Sequence, residues 1–318
     1  MEKLHSPARA EIEYAASLLR AGRLVAFPTE TVYGLGANAL DELAVRRVFE
    51  AKGRPSTSPI IVHVSSVEMV RSVVAEWPAT AQLLAQKFWP GPLTVVLKKQ
   101  VAISSMVTAG LDTVGVRMPS HPVALALIEA AQLPIAAPSA NRFTQLSPTT
   151  AAHVRQGLGN RVDYILDGGP CTVGIESTVL SLAEDAPVVL RPGGISRAQL
   201  EEVIGPVALR SGVDGDAHPA PGMHPRHYSP RTRLLLVRRG DVPREGAGAY
   251  LQLRTPPKRE VQKVVQMPND AASYAADLYR VLHRLDARGY DWIAAEAPQG
   301  KPEWEAVWDR LRRAAGGS

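Results

Sequence analysis

A short segment near the start of the chain, PTETVYGLG at positions 28–36, combines hydroxyl, carboxyl and phenol groups. These groups belong to Thr29, Glu30, Thr31 and Tyr33. The segment follows an apolar run at 24–27 that is typical of a buried strand, and ligands of open α/β sheets bind where strands end. The crowding of polar groups therefore favours a binding site. The alternative is a tight turn in which Gly34 and Gly36 supply backbone freedom.

Two cations and several hydroxyls lie close together in the segment KGRPSTS at 52–58. Lys52 can act as a point charge and Arg54 as a planar fork, which suits phosphate binding. The alternative is a solvated helix end, where the helix dipole favours cations, and taken alone this segment favours that alternative. Neither a Walker loop nor a GxGxxG fingerprint occurs nearby, so ATP binding would need another arrangement.

Arg117 lies inside the apolar segment VGVRMP at 114–119, which is typical of a strand. A buried guanidinium needs a partner. The residues alone leave two hypotheses equally open: Arg117 binds the carboxylate of a ligand, or it forms a structural pair with a glutamate.

Three further segments could contribute to a site. Small residues in AAPSAN at 136–141 allow close backbone approach, while Ser139 and Asn141 supply donors and acceptors. Hydroxyls and an arginine occur in GIEST at 174–178 and LRPGG at 190–194. The alternative for AAPSAN is an ordinary loop. The alternatives for GIEST and LRPGG are residues that form turns and an arginine exposed to solvent.

The elements that must position these groups alternate irregularly between strand and helix. Two strands follow one another between 178 and 191, which breaks strict βαβ order and predicts a mixed sheet with helices on its faces. We expect 59–64 (PIIVHV) to form a strand and Ser147 to cap a helix that begins at Pro148.

Three regions are predicted along the chain. Residues 1–210 form an α/β catalytic domain with a twisted mixed sheet, and residues 233–318 form a smaller α/β domain with a Rossmann-like sheet. Residues 211–232 are dominated by Gly, Pro and His and lack an apolar period. They are predicted to be a linker or a functional loop.

Composition restricts the class of protein. A net charge of +5 is compatible with a polyanionic partner, but only 5% of residues are aromatic, so no stacking platform for RNA is evident. Cys171 is the single cysteine, which excludes an internal disulfide and suits a reducing compartment. The longest apolar stretch, 123–137, is interrupted and too short to cross a membrane. No secretory pattern is visible, and we expect a cytoplasmic protein.

Taken in order, these segments resemble the L-threonylcarbamoyladenylate synthase family, which has the YrdC-type fold. The matching stretches are PTETVYGLG, KGRP with PIIVHV, FWPGPLT, VGVRMP, PSAN with SPT, GIESTVL and LRPG. Each motif is weak alone, but seven in series are specific. The linker motif PGMHPRHYSP and the second domain resemble the longer, two-domain form of the family.

The resemblance implies a nucleotidyltransferase reaction. L-threonine, bicarbonate (or CO2) and ATP, with Mg2+ assisting, would give threonylcarbamoyl-AMP and pyrophosphate. The product would supply the group that a separate threonylcarbamoyl transferase complex places on the adenosine beside the anticodon of certain tRNAs. Lys52, Arg54 and Arg117 would then serve catalysis as cations that hold the substrates and stabilise developing phosphate charge.

The resemblance also implies two sets of binding residues. The threonine set is Thr31, His63, Arg117, Ala137 and Ser177. The ATP set is Lys52, Arg54, Ser58, Thr113, Ser139, Asn141, Ser147, Arg191 and Tyr228. The last of these would lie over the nucleotide as part of a lid formed by the linker, which would shield a labile product from water. No residue set is implied for a protein-held metal.

Two departures and two alternatives accompany this interpretation. Ser58 stands where the family commonly has Asn, and Arg142, Phe143 and Thr144 follow PSAN where Ser-Gly is usual. One alternative is a basic RNA-binding module without catalysis, which the charge favours slightly and the lack of an RNP-type aromatic motif disfavours. The other is carbamoyl transfer from carbamoyl phosphate, which the two-domain layout disfavours.

Overall fold

The computed structural model describes residues 7–210 and 228–316. A first sheet of ten strands and a second sheet of four strands organise this part of the chain. The first sheet contains β1 (Val25–Phe27), β2 (Gly34–Asn38), β3 (Val62–His63), β4 (Leu93–Lys98), β5 (Thr113–Arg117), β6 (Ile135–Ala136), β7 (Tyr164–Ile165), β8 (Thr178–Ser181), β9 (Val188–Arg191) and β10 (Ala208–Leu209). The second contains β11 (Arg233–Val237), β12 (Gly248–Gln252), β13 (Lys263–Gln266) and β14 (Trp292–Glu296).

Ten α-helices flank these sheets in the described part of the chain. The first eight are α1 (Arg9–Arg20), α2 (Glu42–Lys52), α3 (Val67–Val70), α4 (Ala79–Phe88), α5 (Ser105–Thr108), α6 (Pro122–Ala131), α7 (Ala151–Leu158) and α8 (Arg197–Ile204). The last two are α9 (Ala271–Asp286) and α10 (Glu305–Ala314). Short 3₁₀ turns cover Gly159–Arg161 and Pro302–Trp304.

The first sheet is mixed, as the sequence predicts, with strand order β10-β9-β8-β4-β5-β3-β6-β2-β1-β7. Strand alternation divides its apolar side chains between two faces. Val25 and Phe27 pack with α1 and α6, whereas Leu24 and Ala26 pack with the cluster that contains α2, α4 and α7. The irregular order of elements therefore produces a sheet covered by helices on both sides.

The second sheet is parallel throughout, in the order β11-β14-β12-β13. Helices α9 and α10 share one apolar cluster with it, and that cluster also includes Val32, Leu146, Ile175 and Tyr228 from outside the sheet. The packing between the two sheets therefore runs directly past the segments that the sequence marks as functional.

The turn alternative for Gly34 and Gly36 is wrong, and one expected strand is shorter than predicted. Gly34 and Gly36 do not end a loop but lie in β2, which pairs antiparallel with β1. A Cβ at Gly36 would lie 2.9 Å from the side chains of both Phe27 and Ile135, so close packing rather than a turn requires glycine there. The expected strand at 59–64 is also shorter, since only Val62–His63 pair with neighbours.

The helix expected to begin at Pro148 begins instead at Ala151, with the side chain of Thr150 as its cap. Ser147 does not cap this helix because its hydroxyl donates to the buried carboxylate of Glu176. The helix after 195, by contrast, is capped within its own sequence, by a capping box between Ser196 and Gln199.

The predicted linker at 211–232 lies largely outside the described residues, and the predicted domain limits stay predictions. No helix among residues 7–210 and 228–316 is long and apolar enough to cross a membrane.

Candidate active site

A cavity with about 540 Å³ of empty space lies where the ends of several strands of the first sheet meet. Nine of the predicted site residues line it: Thr31, Arg54, His63, Arg117, Ala137, Ser139, Ser177, Arg191 and Tyr228. The remaining wall is formed by Thr29, Val32, Gly34, Ile61, Pro138 and Glu176. Segments far apart in sequence therefore converge as expected.

Arg117 ends β5 and is almost fully buried beside the cavity. Its Nη2 lies 2.7 Å from Oε1 of Glu30, its Nη1 donates to the hydroxyl of Thr31 at 2.9 Å, and its Nε donates to the carbonyl of Gly91 at 3.2 Å. The structural pair with a glutamate thus exists, and the same guanidinium also faces the cavity. The two hypotheses for Arg117 are compatible, because its five N–H groups exceed these three contacts.

The hydroxyls of Thr29 and Thr31 belong to one hydrogen-bonded group. Thr29 Oγ1 donates to the carbonyl of Val32 at 2.6 Å and accepts from the backbone N–H groups of Thr31 and Val32, both at 3.2 Å. Thr31 Oγ1 lies 2.8 Å from Thr29 Oγ1 and accepts from Nη1 of Arg117. These contacts hold the Thr31 side chain in the cavity wall.

His63 lines the same end of the cavity and is neutral. Burial, with the nearby charge of Arg117, lowers its pKa to about 3. Its Nδ1 has no hydrogen-bond partner within the described residues. A neutral imidazole in the cavity wall suits a ligand that carries an ammonium or hydroxyl group.

The depressed pKa of His63 makes stability depend on pH. Between the folded pKa of about 3 and the unfolded value near 6.5, only the unfolded chain takes up the proton, so stability falls as pH falls below about 6.5. We expect His63 to contribute a loss of about 1 kcal/mol between pH 7.5 and pH 5.5. Urea unfolding of the wild type and of His63→Gln at both pH values measures this. The variant should lose less stability than the wild type, and equal losses would contradict a buried neutral histidine.

The other end of the cavity carries Arg54 and Arg191. Nη2 of Arg54 donates to the carbonyls of Ser58 and Pro59, at 3.3 and 3.0 Å, while its buried Nε has no partner within residues 7–210 and 228–316. Burial and the nearby Arg191 lower the pKa of Arg54 to about 10, so it remains a cation at neutral pH. Two buried cations around one cavity, one of them with a vacant donor, favour an anionic ligand.

Arg191 is anchored by the loop that precedes β8. Its Nη2 donates to the carbonyl and the hydroxyl of Ser177, at 2.9 and 3.2 Å. The Ser177 hydroxyl lies 2.8 Å from that of Thr94 on β4. Ser177 therefore couples the predicted threonine set to the cationic end of the cavity.

Five predicted residues do not line the cavity: Lys52, Ser58, Thr113, Asn141 and Ser147. Thr113 begins β5, and Arg117 ends it, so the two lie about 13 Å apart at the strand spacing of about 3.3 Å. The resemblance assigns Thr113 to ATP and Arg117 to threonine, so this separation leaves the predicted ATP contact of Thr113 a prediction. Ser58 approaches Arg54 with its carbonyl, not its hydroxyl.

Lys52 and Asn141 support the loop that carries Ser139. Nζ of Lys52 donates to the carbonyls of Ser139 and Asn141, at 2.5 and 2.6 Å. The Asn141 amide nitrogen donates to the carbonyls of Arg142 and Gln145, both at 2.8 Å, so the loop after PSAN is closed on itself despite its departure from the family pattern. Lys52 therefore fixes the loop, and the structure gives it no direct contact with the cavity.

Comparison with known proteins adds an independent observation. A family model for Sua5, YciO and YrdC proteins, described as telomere recombination, matches residues 17–193. A model for the threonylcarbamoyl-AMP synthase C-terminal domain matches residues 195–316. The chain is 44% identical to the threonylcarbamoyl-AMP synthase of Pyrococcus abyssi, over 96% of this chain and 94% of that protein. The chain belongs to the threonylcarbamoyl-AMP synthase family.

Other members of the synthase family are equally similar. The Bacillus subtilis threonylcarbamoyl-AMP synthase is 44% identical over 96% of this chain and 93% of its own length. A crystal structure of P. abyssi Sua5 complexed with L-threonine matches with a TM-score of 0.90 and 40% identity, covering 98% of this chain and 96% of that one. The resemblance inferred from the motifs and the mixed α/β, two-sheet fold are both confirmed.

Sequence reasoning gave no specific role to two carboxylates of this synthase-family site. Glu30, buried within PTETVYGLG, is the partner of Arg117. Glu176, in the middle of GIEST, accepts from the Ser147 hydroxyl, from the Tyr279 hydroxyl at 3.1 Å and from Nε of Arg310 at 2.6 Å. A glutamate in each motif was visible in the sequence. The partners of Glu176 were not, because Arg310 lies 134 residues further along the chain.

Proposed function

We propose that this cavity joins L-threonine, bicarbonate or CO2, and ATP to give threonylcarbamoyl-AMP and pyrophosphate. The observation that carries the proposal is the division of one cavity between two kinds of group. Arg117, Thr31 and His63 are neighbours in the lining, and Arg54 and Arg191 are neighbours in another part of it. A cation beside a hydroxyl and a neutral imidazole suits a zwitterionic hydroxy amino acid. A pair of arginines suits a polyphosphate.

In this arrangement Arg117 receives the threonine carboxylate, and His63 with Thr31 faces the amine and the side-chain hydroxyl. The amine attacks CO2 and loses a proton, which gives a carbamate. A carbamate oxygen then attacks the α-phosphorus, and the bond to the departing pyrophosphate breaks. Arg54 and Arg191 stabilise the charge that develops on the phosphates, so catalysis rests on positioning and electrostatics.

No side chain needs to become covalently attached. Burial raises the pKa of the Cys171 thiol well above its ordinary value, so that thiol is protonated at neutral pH and is a poor nucleophile. Ser177 donates or accepts within the Thr94 and Arg191 contacts and has no adjacent general base within hydrogen-bonding reach in the described structure.

Magnesium enters this proposal with the nucleotide. No group of three or more His, Cys, Asp or Glu side chains with metal-binding geometry occurs among residues 7–210 and 228–316. The residues around the cavity therefore do not fit a magnesium ion held by the protein alone, and we assign the ion to the phosphates of ATP. No step above depends on a protein-held metal.

The product would pass to a separate threonylcarbamoyl transferase complex that modifies the adenosine beside the anticodon of tRNA. We place this work in the cytoplasm, where ATP, threonine and tRNA occur together. Any RNA contact of this chain would be weak, and the predicted lid over the nucleotide, formed by the linker before Tyr228, stays part of the proposal.

Pyrophosphate release tests the proposal. Purified protein is incubated with ATP, magnesium, threonine and bicarbonate, and each component is omitted in turn. We expect release that requires both threonine and bicarbonate, together with a nucleotide product that carries threonine label. A non-catalytic RNA-binding module predicts no release. A carbamoyl transferase predicts that carbamoyl phosphate replaces bicarbonate and threonine is dispensable. Either of those outcomes from folded protein would overturn the proposal.

A further inference from the structure

Arg310 is a fully buried arginine on α10, the last helix of the described chain. Its contacts reach from the second domain into two site motifs of the first. Nε donates to the Glu176 carboxylate at 2.6 Å, and Nη2 donates to the carbonyl of Pro192 at 3.1 Å. Its Nη1 is paired with Asp309 on the same helix. A buried charge is costly unless it is paired, so this guanidinium is placed by specific partners.

The first of these partners belongs to the cavity. Glu176 lines it, and its carboxylate also accepts from Ser147 and from Tyr279 on α9. Burial alone would raise the pKa of Glu176, but the charges of Arg310 and Arg191 outweigh burial and hold that pKa below its ordinary value. Glu176 is therefore an anion in the wall of a cavity that takes a polyanion. Arg310, which does not line the cavity, neutralises it.

The second contact is with Tyr228, which also lines the cavity. The guanidinium carbon of Arg310 lies 5.0 Å from the centre of the Tyr228 ring, within the range of a cation–π contact. Tyr228 is almost fully buried and has a positive φ of 61°, a conformation that the surroundings must hold in place. On its other side its hydroxyl accepts from Nη1 of Arg191 at 3.5 Å. Tyr228 is thus held between the two arginines.

The first and second domains are closely packed around the contacts of Arg310. Gly174, two residues before Glu176, has a φ of +76°, and a Cβ there would lie 2.5 Å from the backbone of Ala276 on α9. The GIEST loop is therefore seated directly on the backbone of the second domain. Leu146, Ile175 and Tyr228 join the apolar cluster of α9 and α10.

We propose that Arg310 is a positioning residue of the nucleotide half of the site: it neutralises Glu176 and holds Tyr228 against the cavity, so that the second domain completes the ATP-binding wall. The inference rests on the proposed function, since it takes ATP to be the anionic ligand. It gives the second domain a defined task. The predicted threonine residues have no described contact with Arg310, and Ser177, which directly follows Glu176, is the member of that set nearest to it in the chain.

Steady-state kinetics of four variants test this. Arg310→Met removes both the charge and the planar set of guanidinium donors, whereas Arg310→Lys keeps only the charge. The double variant Arg310→Met with Glu176→Gln removes the charges of both partners. Arg312→Met is the matched control, because Arg312 is an exposed cation on the same helix that stacks on Trp308. Pyrophosphate release is followed against ATP at saturating threonine and against threonine at saturating ATP, and thermal unfolding is recorded without ligands.

We expect Arg310→Met to raise the KM for ATP about 10-fold or more, the usual effect of losing a group that orients a ligand-binding residue. The KM for threonine should change less than about 2-fold. The double variant and Arg310→Lys should each recover part of the ATP affinity, and Arg312→Met should match the wild type. If Arg310→Met fails to fold, the lysine and double variants still give the ATP-to-threonine comparison.

Equal changes in both KM values, or effects that follow the unfolding temperature alone, would reduce Arg310 to a structural contact and overturn the inference. Unchanged kinetics in every variant would also overturn it while leaving the proposed function intact. The proposed function fails separately, if the wild type itself releases no pyrophosphate that depends on threonine.

Discussion

Replacing Arg117 with methionine should raise the KM for threonine about 100-fold while the KM for ATP changes little. Two hydrogen bonds from a guanidinium to a carboxylate contribute about 3 kcal/mol together, which corresponds to about 100-fold in affinity. The same substitution should destabilise the protein by about 3–5 kcal/mol, because it leaves the buried carboxylate of Glu30 without its cation. A loss of activity in this variant alone would therefore be ambiguous.

A double substitution separates the two roles of Arg117. In Arg117→Met with Glu30→Gln the unpaired buried charge is gone, so most of the lost stability should return. Threonine use should not return, because no cation faces the substrate carboxylate. Unfolding in urea and pyrophosphate release against threonine concentration give the two readouts. Recovery of both in the double variant would mean that Arg117 serves only to neutralise Glu30.

How far the sequence predicts this site depends on the range of the interaction. The convergence of Thr31, Arg117 and Ser177 follows from motifs at strand ends, and those side chains meet as expected. The direction of the Ser147 hydroxyl was not predictable, because a local capping pattern competes with a carboxylate 29 residues away. Short-range patterns cannot rank a local cap against a buried, long-range charge.

The same limit explains why the turn alternative for Gly36 is wrong and why the contacts of Arg310 were not predicted. The turn alternative explains Gly36 by its backbone freedom, yet the reason for it is the approach of Phe27 and Ile135 from other strands. In the sequence, Arg310 is one of three arginines in the last helix, with Arg312 and Arg313. Only the packing of α9 and α10 on the GIEST loop reveals it as buried. Sequence periodicity predicts which helix face is apolar, but not which charge will be buried against another domain.

Arg54→Met is expected to reduce kcat/KM for ATP about 100-fold, with a KM for threonine close to that of the wild type. Arg54 faces the cavity with a buried Nε that lacks a partner in the described structure, so it is a donor held ready for an anion. Removing one such preorganised donor costs about 100-fold or more in related settings. The measurement is initial rates of pyrophosphate release, with Arg46→Met as control, because Arg46 is an exposed cation on α2.

Stability should not fall together with activity, which makes the Arg54→Met variant diagnostic. Burial and the neighbouring Arg191 both disfavour the charge of Arg54 in the free protein, as its lowered pKa of about 10 reflects. Replacing it with an apolar side chain of similar length removes that cost, while the lost bonds to the carbonyls of Ser58 and Pro59 act against it. The free energy of unfolding should therefore stay within about 1 kcal/mol of the wild type or rise, as at other sites where function opposes stability.

Stabilisation of the protein by bound ligand tests whether Arg54 contacts the phosphates of ATP. At 100 times its Kd, ATP should stabilise the wild type by about 2.7 kcal/mol, and this gain should shrink strongly in Arg54→Met at the same concentration. Threonine alone should stabilise both proteins equally, because its predicted partners Arg117, Thr31 and His63 are intact. A variant that keeps its full response to ATP would show that the vacant donor of Arg54 does not meet the phosphates, and the cationic end of the cavity would then rest on Arg191 alone.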